Sequence, residues 1–297
     1  MGYYKERDGK KYSVGIEGAF HEYLAGKAGA QIEQKIANGW RKTGKIIEES
    51  ISGSDVVTTI DSDIQEVVHS ELEKQLMTMD ASHGCVIVME VATGYVRAIS
   101  NLRRNADSSF SESYNYAVGR LSAPGSTFKL AALMAALEDG KLSLESQVNA
   151  SGTYHFKGSK KPLYDSNYGR GYGKISLKEA FELSSNVIAP TIDAAYKNDP
   201  HQFISRLEKF GLTKPLGISI SGEPEPKVSR PGSSQWSGIS IPYMAIGYEL
   251  EQTPLQTLNL YNTVANNGRM MKPQFVEHIQ RSGKLIQSFE PVILDEK

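Results

Sequence analysis

The arrangement of apolar and polar positions divides the chain into an irregular opening, one strong hairpin and a long helical stretch. Residues 1 to about 55 are rich in Lys, Gly and Glu and show no sustained period of either kind. Asp61 then reads as a helix N-cap, followed by the amphipathic series Ile64, Val67, Val68, Leu72 and Leu76. The strongest β pattern comes next. Val86–Val91 and Tyr95–Ile99 flank Ala92-Thr93-Gly94, which predicts a hairpin with the glycine in the left-handed position. From 125 to 265 the periodicity is mostly helical, over 126–138, 176–196, 200–210 and 254–266, with Gly/Pro/Ser-rich loops at 149–174 and 221–242. A second hairpin is predicted at Phe275–Gln280 and Leu285–Phe289, turning at Ser282-Gly283. A hairpin, then helices, then strands is an α+β order rather than alternating βαβ units.

Composition changes this picture little. The 297 residues carry 33 Lys+Arg against 34 Asp+Glu, a net charge of -1, so no basic field for nucleic-acid binding exists. The single cysteine, Cys85, excludes an intrachain disulfide framework and a Cys-rich metal site. Consecutive histidines lie at least fourteen residues apart, too far for a local H-x₃-H metal pair, and neither a metal nor a cofactor is expected. The longest aliphatic run, Leu130–Leu137, has eight residues where a membrane helix needs about 20.

The candidate chemistry begins at Ala123-Pro124-Gly125-Ser126-Thr127-Phe128-Lys129, which leads into that aliphatic run. Ser126 falls in the first turn of the predicted helix, near the positive end of its dipole, and Lys129 three residues on shares its face. A lysine desolvated beside a serine can have its pKa lowered enough to accept the hydroxyl proton. About two S-x-x-K matches are expected by chance in a chain of this composition, so the four letters alone decide little. The setting decides more: a charge heading an almost wholly apolar helix needs a partner or a cavity. Ser184-Ser185-Asn186 lies 58 residues after Ser126, counted serine to serine, at the end of a helical pattern. A hydroxyl and a carboxamide two residues apart can face one cleft, the first relaying a proton and the second gripping a peptide carbonyl. Taken by itself the triplet reads more readily as a helix-terminal cap. Tyr164, Tyr168 and Tyr172 in the Gly-rich loop are candidates to border the cleft.

Together these motifs resemble the acyl-serine penicillin-recognising proteins, in which S-x-x-K, S-x-N and Lys-Ser/Thr-Gly follow in that order. Thr58-Thr59-Ile60-Asp61, the Val91–Gly94 turn, and Thr253-Pro254-Leu255-Gln256 with Asn267-Gly268 are similar to the transpeptidase domain of class B penicillin-binding proteins, most of all the septal, cell-division type. Gly15–Gly18 and Leu24–Lys27 look like the tail of the pedestal linker. The resemblance implies a remnant of the pedestal at 1–54 and a penicillin-binding transpeptidase domain at 55–297. The implied fold is the DD-peptidase, serine β-lactamase-like α+β fold, an antiparallel sheet with helices on both faces, here lacking its C-terminal strands.

It also implies roles: Ser126 as nucleophile toward a D-Ala-D-Ala stem peptide, Lys129 as general base, Ser184 and Asn186 lining the cleft, and the Ser126 N–H as half of the oxyanion hole. The implied ligands are peptidoglycan stem peptides and β-lactams, with a membrane glycosyltransferase and divisome proteins as partners. The implied location is extracytoplasmic, held by an N-terminal membrane helix absent from this sequence. Two other readings share the S-x-x-K motif: a D,D-carboxypeptidase or class D-like β-lactamase, and a non-catalytic β-lactam sensor.

The sequence departs from the pattern in two places. Lys42-Thr43-Gly44, its literal Lys-Thr-Gly, precedes the nucleophile and reads as a coincidence in a basic turn; Arg281-Ser282-Gly283 has the order but not the lysine. The motif is expected beyond residue 297, leaving this polypeptide weakly active and the 84–101 hairpin with an unpaired edge. In Gly247-Tyr248-Glu249, a glutamate stands where many members have a second glycine.

Overall fold

A computed structural model of the chain describes residues 2–296. Its centre is the predicted hairpin, His83–Met89 against Val96–Arg104, with Ile87 opposite Ile99 and Val88 opposite Ala98. Gly94 sits at φ 76° in the turn, as the sequence requires of that position. Phe110–Ser111 extends the sheet beyond Val96–Arg104. Among the described residues no strand pairs with the other edge of His83–Met89.

Alternation along the hairpin sends its two faces to two cores. Val86 and Leu102 meet Leu72 and Leu76 of helix Ser62–Thr78. Ile87, Met89, Val96 and Ile99 meet Val118, Leu255 and Phe275 on the other side. Asp61 caps the first helix, its Oδ1 accepting from the N–H groups of Asp63 and Ile64 at 3.0 and 3.1 Å. The Thr59 hydroxyl is buried between the carbonyls of Val96 and Gln274, which fixes the segment leading into that cap.

The helical body is built around Lys129–Glu138. Ala131, Ala132, Ala135 and Ala136 let the neighbouring helices approach closely, and Ile188, Ile192, Phe203, Leu207 and Met244 fill the space around them. Each such aliphatic or aromatic side chain, fully withdrawn from water, contributes about 1.5–3 kcal/mol. The buried Asp139 carboxylate at the end of this helix takes the Tyr196 hydroxyl at 2.7 Å and the Arg206 guanidinium, fastening three helices together. No helix among the described residues is long and apolar enough to cross a membrane.

The structure departs from the periodicity in four places, one of them the loop expected over 149–174, where Thr153–Tyr154 pairs with Leu163–Tyr164 and Gln147–Ala150 with Gly173–Ser176. The expected helix over 176–196 is two, Leu177–Glu182 and Ile188–Tyr196. A Ser176/Glu179 capping box starts the first, and Ser184 in the left-handed region at φ 51° ends it. The loop expected over 221–242 contains the start of a helix, Ser240–Ala245, too short to display a period.

The opening segment is not irregular. It forms the hairpin Gly2–Arg7 with Lys10–Val14, and a ribbon of Ala30–Ile36 with Gly39–Glu48. The ribbon's residues are exposed on both faces, so nothing imposed the alternation by which a half-buried strand is recognised. Lys42-Thr43-Gly44 lies on this exposed ribbon rather than in a turn. Asp55–Thr58 pairs with Val276–Arg281, which forms the expected second hairpin with Lys284–Ser288. Phe20 buries itself against Val276 and Ile279 of that sheet.

Candidate active site

Three elements converge on the turn that carries Ser126. Gly125–Phe128 is a 3₁₀ turn feeding directly into Lys129–Glu138, so Ser126 stands one turn ahead of the α-helix proper. Phe128 anchors the turn in the core at 2% exposure. From one side, Tyr261 of helix Pro254–Ala265 donates its hydroxyl to the Thr127 carbonyl at 2.9 Å. From another, the Gly125 N–H donates to the Gly247 carbonyl at 3.1 Å. The backbones touch here: a Cβ on Gly247, itself at φ 80°, would lie 2.1 Å from the Gly125 carbonyl oxygen. These contacts leave the Ser126 side chain exposed at the surface of a rigid support.

Lys129 is the unusual residue of the site. It is 1% exposed, yet it carries an ammonium group. That group donates to the Ser184 carbonyl at 2.6 Å and to the Ser184 hydroxyl at 3.1 Å. Desolvation pushes its pKa down to about 8, and the Asp165 carboxylate pulls in the opposite direction. The lysine therefore sits close enough to neutrality at physiological pH to take up a proton. Its observed partner is Ser184; the Ser126 hydroxyl makes no hydrogen bond to it among the described residues.

The S-x-N triplet occupies the tight turn between Leu177–Glu182 and Ile188–Tyr196. Ser184 and Asn186 are accessible, whereas the intervening Ser185 is fully buried. The Asn186 carboxamide donates to the Tyr164 carbonyl at 2.8 Å, which fixes its orientation. Of the three tyrosines in the Gly-rich loop, Tyr164 thus reaches Asn186 through its backbone. Tyr172 packs instead beside Ala150 and Ala180, and Tyr168 is 93% exposed.

Asp165 escaped the reading of the sequence. A lone aspartate in a loop of Gly, Tyr, Ser and Asn looks like any solvated turn residue. It is 2% exposed, and its carboxylate accepts from the Ser185 hydroxyl at 3.0 and 3.1 Å and from the Tyr154 hydroxyl at 3.1 Å. It also accepts from the Asn186 N–H.

The family described as penicillin binding protein transpeptidase domain matches residues 84–295, well over half of the chain. The chain belongs to that family. Among curated relatives, it is 29% identical over 275 residues to penicillin-binding protein PbpB of Mycolicibacterium smegmatis, covering 89% of this chain and 41% of PbpB. It is 26% identical over 265 residues to peptidoglycan D,D-transpeptidase FtsI of Escherichia coli K12, covering 86% of this chain and 42% of FtsI. The chain thus spans about two-fifths of these relatives' length. Among solved structures, penicillin-binding protein 3 of Mycobacterium tuberculosis complexed with ampicillin is 25% identical with a TM-score of 0.75, covering 97% of this chain and 60% of that one. Penicillin-binding protein 2B of Streptococcus pneumoniae superposes with a TM-score of 0.74 at 22% identity, covering 98% of this chain and 52% of its own, and agrees in fold.

Proposed function

We propose that this chain is the acyl-transfer region of a class B penicillin-binding protein that cross-links peptidoglycan, of the cell-division type. The observation that carries the reading is the buried Lys129 ammonium, brought near neutrality and aimed at Ser184 one helical turn from the exposed Ser126.

The residues divide the chemistry as follows. The Ser126 hydroxyl attacks the carbonyl of the penultimate D-Ala of a stem peptide while neutral Lys129 takes its proton. The tetrahedral oxyanion is met by the Ser126 N–H. As the C–N bond breaks, Lys129 returns the proton through the Ser184 hydroxyl to the departing D-Ala amine, leaving an ester on Ser126. Asn186, oriented by Tyr164, grips the donor peptide. The amine of a neighbouring stem then attacks the ester, and Ser126 recovers its proton. β-Lactams acylate Ser126 by the same first step; the ampicillin complex of the mycobacterial relative supports this. The domain works on the outer side of the cytoplasmic membrane, anchored by an N-terminal helix and paired with a membrane glycosyltransferase and divisome proteins.

No Lys-Ser/Thr-Gly follows Asn186 in this sequence. The donors supplied by that motif are worth about 10²–10³ in rate each, so this polypeptide alone acylates slowly. The experiment supplies a D-Ala-D-Ala-terminated peptide and an acceptor amine, to this chain and to a fusion of it with an added Lys-Ser/Thr-Gly strand. The reading expects release of one D-Ala and a cross-linked product, slowly in the first and faster in the second. Hydrolysis without cross-link in both would favour a carboxypeptidase; equal rates would refute the role given to the third motif.

A further inference from the structure

The carboxylate of Asp165 is buried without a cation in hydrogen-bond contact among the described residues. Its partners are neutral: the Ser185 hydroxyl, the Tyr154 hydroxyl and the Asn186 N–H. Tyr154 is itself fixed by the Gly152 N–H at 3.2 Å, and the Asp165 N–H donates to the Gly152 carbonyl at 2.9 Å. A full negative charge withdrawn from water is costly unless an opposite charge nearby offsets it. The cation whose field it shares is Lys129.

Both charges are attached to the same short turn. Lys129 holds Ser184; Asp165 holds the next two residues, Ser185 and Asn186. Ser184 is in the left-handed region at φ 51°, a conformation that a non-glycine residue keeps only when its surroundings enforce it. On its far side the turn is closed by the Ser184 and Ser185 N–H groups, which donate to the Phe181 and Ala180 carbonyls at 2.9 and 2.8 Å.

We propose that Asp165 is a positioning residue for the acylation chemistry, clamping the Ser184–Asn186 turn onto the Lys129 ammonium and serving as that ammonium's counter-charge. The proposal rests on the reading of Lys129 as the base. Asp165 touches neither Ser126 nor the reacting atoms; it acts through Ser185, Asn186 and the field at Lys129. The ionisable side chains that are not exposed on the packed elements are Tyr154 beside Asp165, Asp193 and Tyr196 on Ile188–Tyr196, Arg206 on Pro200–Lys209 and Tyr243 on Ser240–Ala245, while Lys178, Glu179 and Glu182 on Leu177–Glu182 and His201, Glu208 and Lys209 on Pro200–Lys209 are exposed. Tyr154 is kept neutral because burial raises its pKa. Asp193 is likewise pushed up by burial, and Arg206 and Tyr196 are spent on Asp139. The charge acting on Lys129 is that of Asp165.

The test reads Lys129 directly, so it does not depend on turnover. The chain is labelled with lysine carrying ¹³C at Cε, the Lys129 signal is assigned by its loss in Lys129→Arg, and its titration is followed in parent and Asp165→Asn. Removing the counter-charge is expected to make Lys129 titrate at lower pH than in the parent, with Asn186 amide exchange faster by about tenfold or more. An unmoved titration, or unchanged exchange at Asn186, overturns the proposal. Should Asp165→Asn fail to fold, Ser185→Ala keeps the charge and removes only the clamp: faster Asn186 exchange with an unmoved Lys129 titration supports it, and unchanged exchange refutes it. Labelling of Ser126 by penicillin is scored separately, and its failure alone would count against the proposed function rather than against the clamp.

Discussion

The Lys129 ammonium reaches across to the loop after helix Leu177–Glu182 and donates to both oxygens of Ser184, at 2.6 Å to the carbonyl and 3.1 Å to the hydroxyl. Burial of that ammonium makes its proton affinity the controlling variable of the site. With its pKa lowered to about 8, the neutral fraction falls roughly tenfold per pH unit below that point. The second-order rate of acylation by a β-lactam should therefore climb roughly tenfold from pH 6 to pH 7 and level off above about pH 8. Stopped-flow or gel-based labelling across this range checks it. A rate that is flat from pH 6 upward would remove Lys129 from the role of base.

The same burial has a cost in stability. A lysine whose folded pKa lies below its unfolded value binds its proton less tightly when folded, so it opposes folding wherever the unfolded chain is protonated. The penalty is fully present below pH 8, about 3 kcal/mol in size, and fades as pH rises toward 10.5. Lys129→Met forfeits two hydrogen bonds but escapes this penalty. It should unfold at higher denaturant than the parent at pH 7, by roughly 1–2 kcal/mol, with the advantage shrinking between pH 8 and 10. A variant less stable than the parent at pH 7 would mean that the ammonium's hydrogen bonds outweigh its desolvation.

Gly247 supports the nucleophile through the absence of a side chain. Gly247→Ala places a methyl 2.1 Å from the Gly125 carbonyl oxygen and forces a residue with a Cβ to φ 80°. The expected loss is about 2–4 kcal/mol of stability, with labelling of Ser126 reduced further than unfolding explains. Thermal unfolding and penicillin labelling measured together separate the two effects. Normal labelling in the folded variant would show that the Gly125 turn is not held from this side.

Glu249, two residues on, stands at φ 56° with its Oε2 buried and unpartnered among the described residues. Left-handed backbone costs a non-glycine residue about 1–2 kcal/mol, against a smaller entropic cost for glycine. Glu249→Gly should therefore stabilise the chain by about 1 kcal/mol in urea unfolding. A loss of stability would assign the glutamate a contact that the present geometry does not contain.

Much of the scaffold was legible because its signals are local. Asp61 announces its helix by capping chemistry, Gly94 announces its turn, and the run after Lys129 announces a buried helix. S-x-x-K and S-x-N were legible as spacings, and the fold brings Lys129 to Ser184. The supports of the site were not legible. Asp165 is 20 residues from Ser185 in sequence and Gly247 is 122 from Gly125, so neither contact leaves a periodic trace. The N-terminal ribbon was missed for the opposite reason: with both faces wet, its sequence is free of any pattern. Ser184, whose left-handed φ splits the helix expected over 176–196, gave no warning because glycine, not serine, marks such a break.

The central claim, that Ser126 is the acylated nucleophile, is tested most directly by intact-mass and peptide mass spectrometry after prolonged incubation of this chain with excess benzylpenicillin. The account predicts one penicilloyl adduct, slow to form, on the peptide containing Ser126, and none in Ser126→Ala. An adduct that persists in Ser126→Ala, or no adduct on the parent after exhaustive incubation, would contradict it.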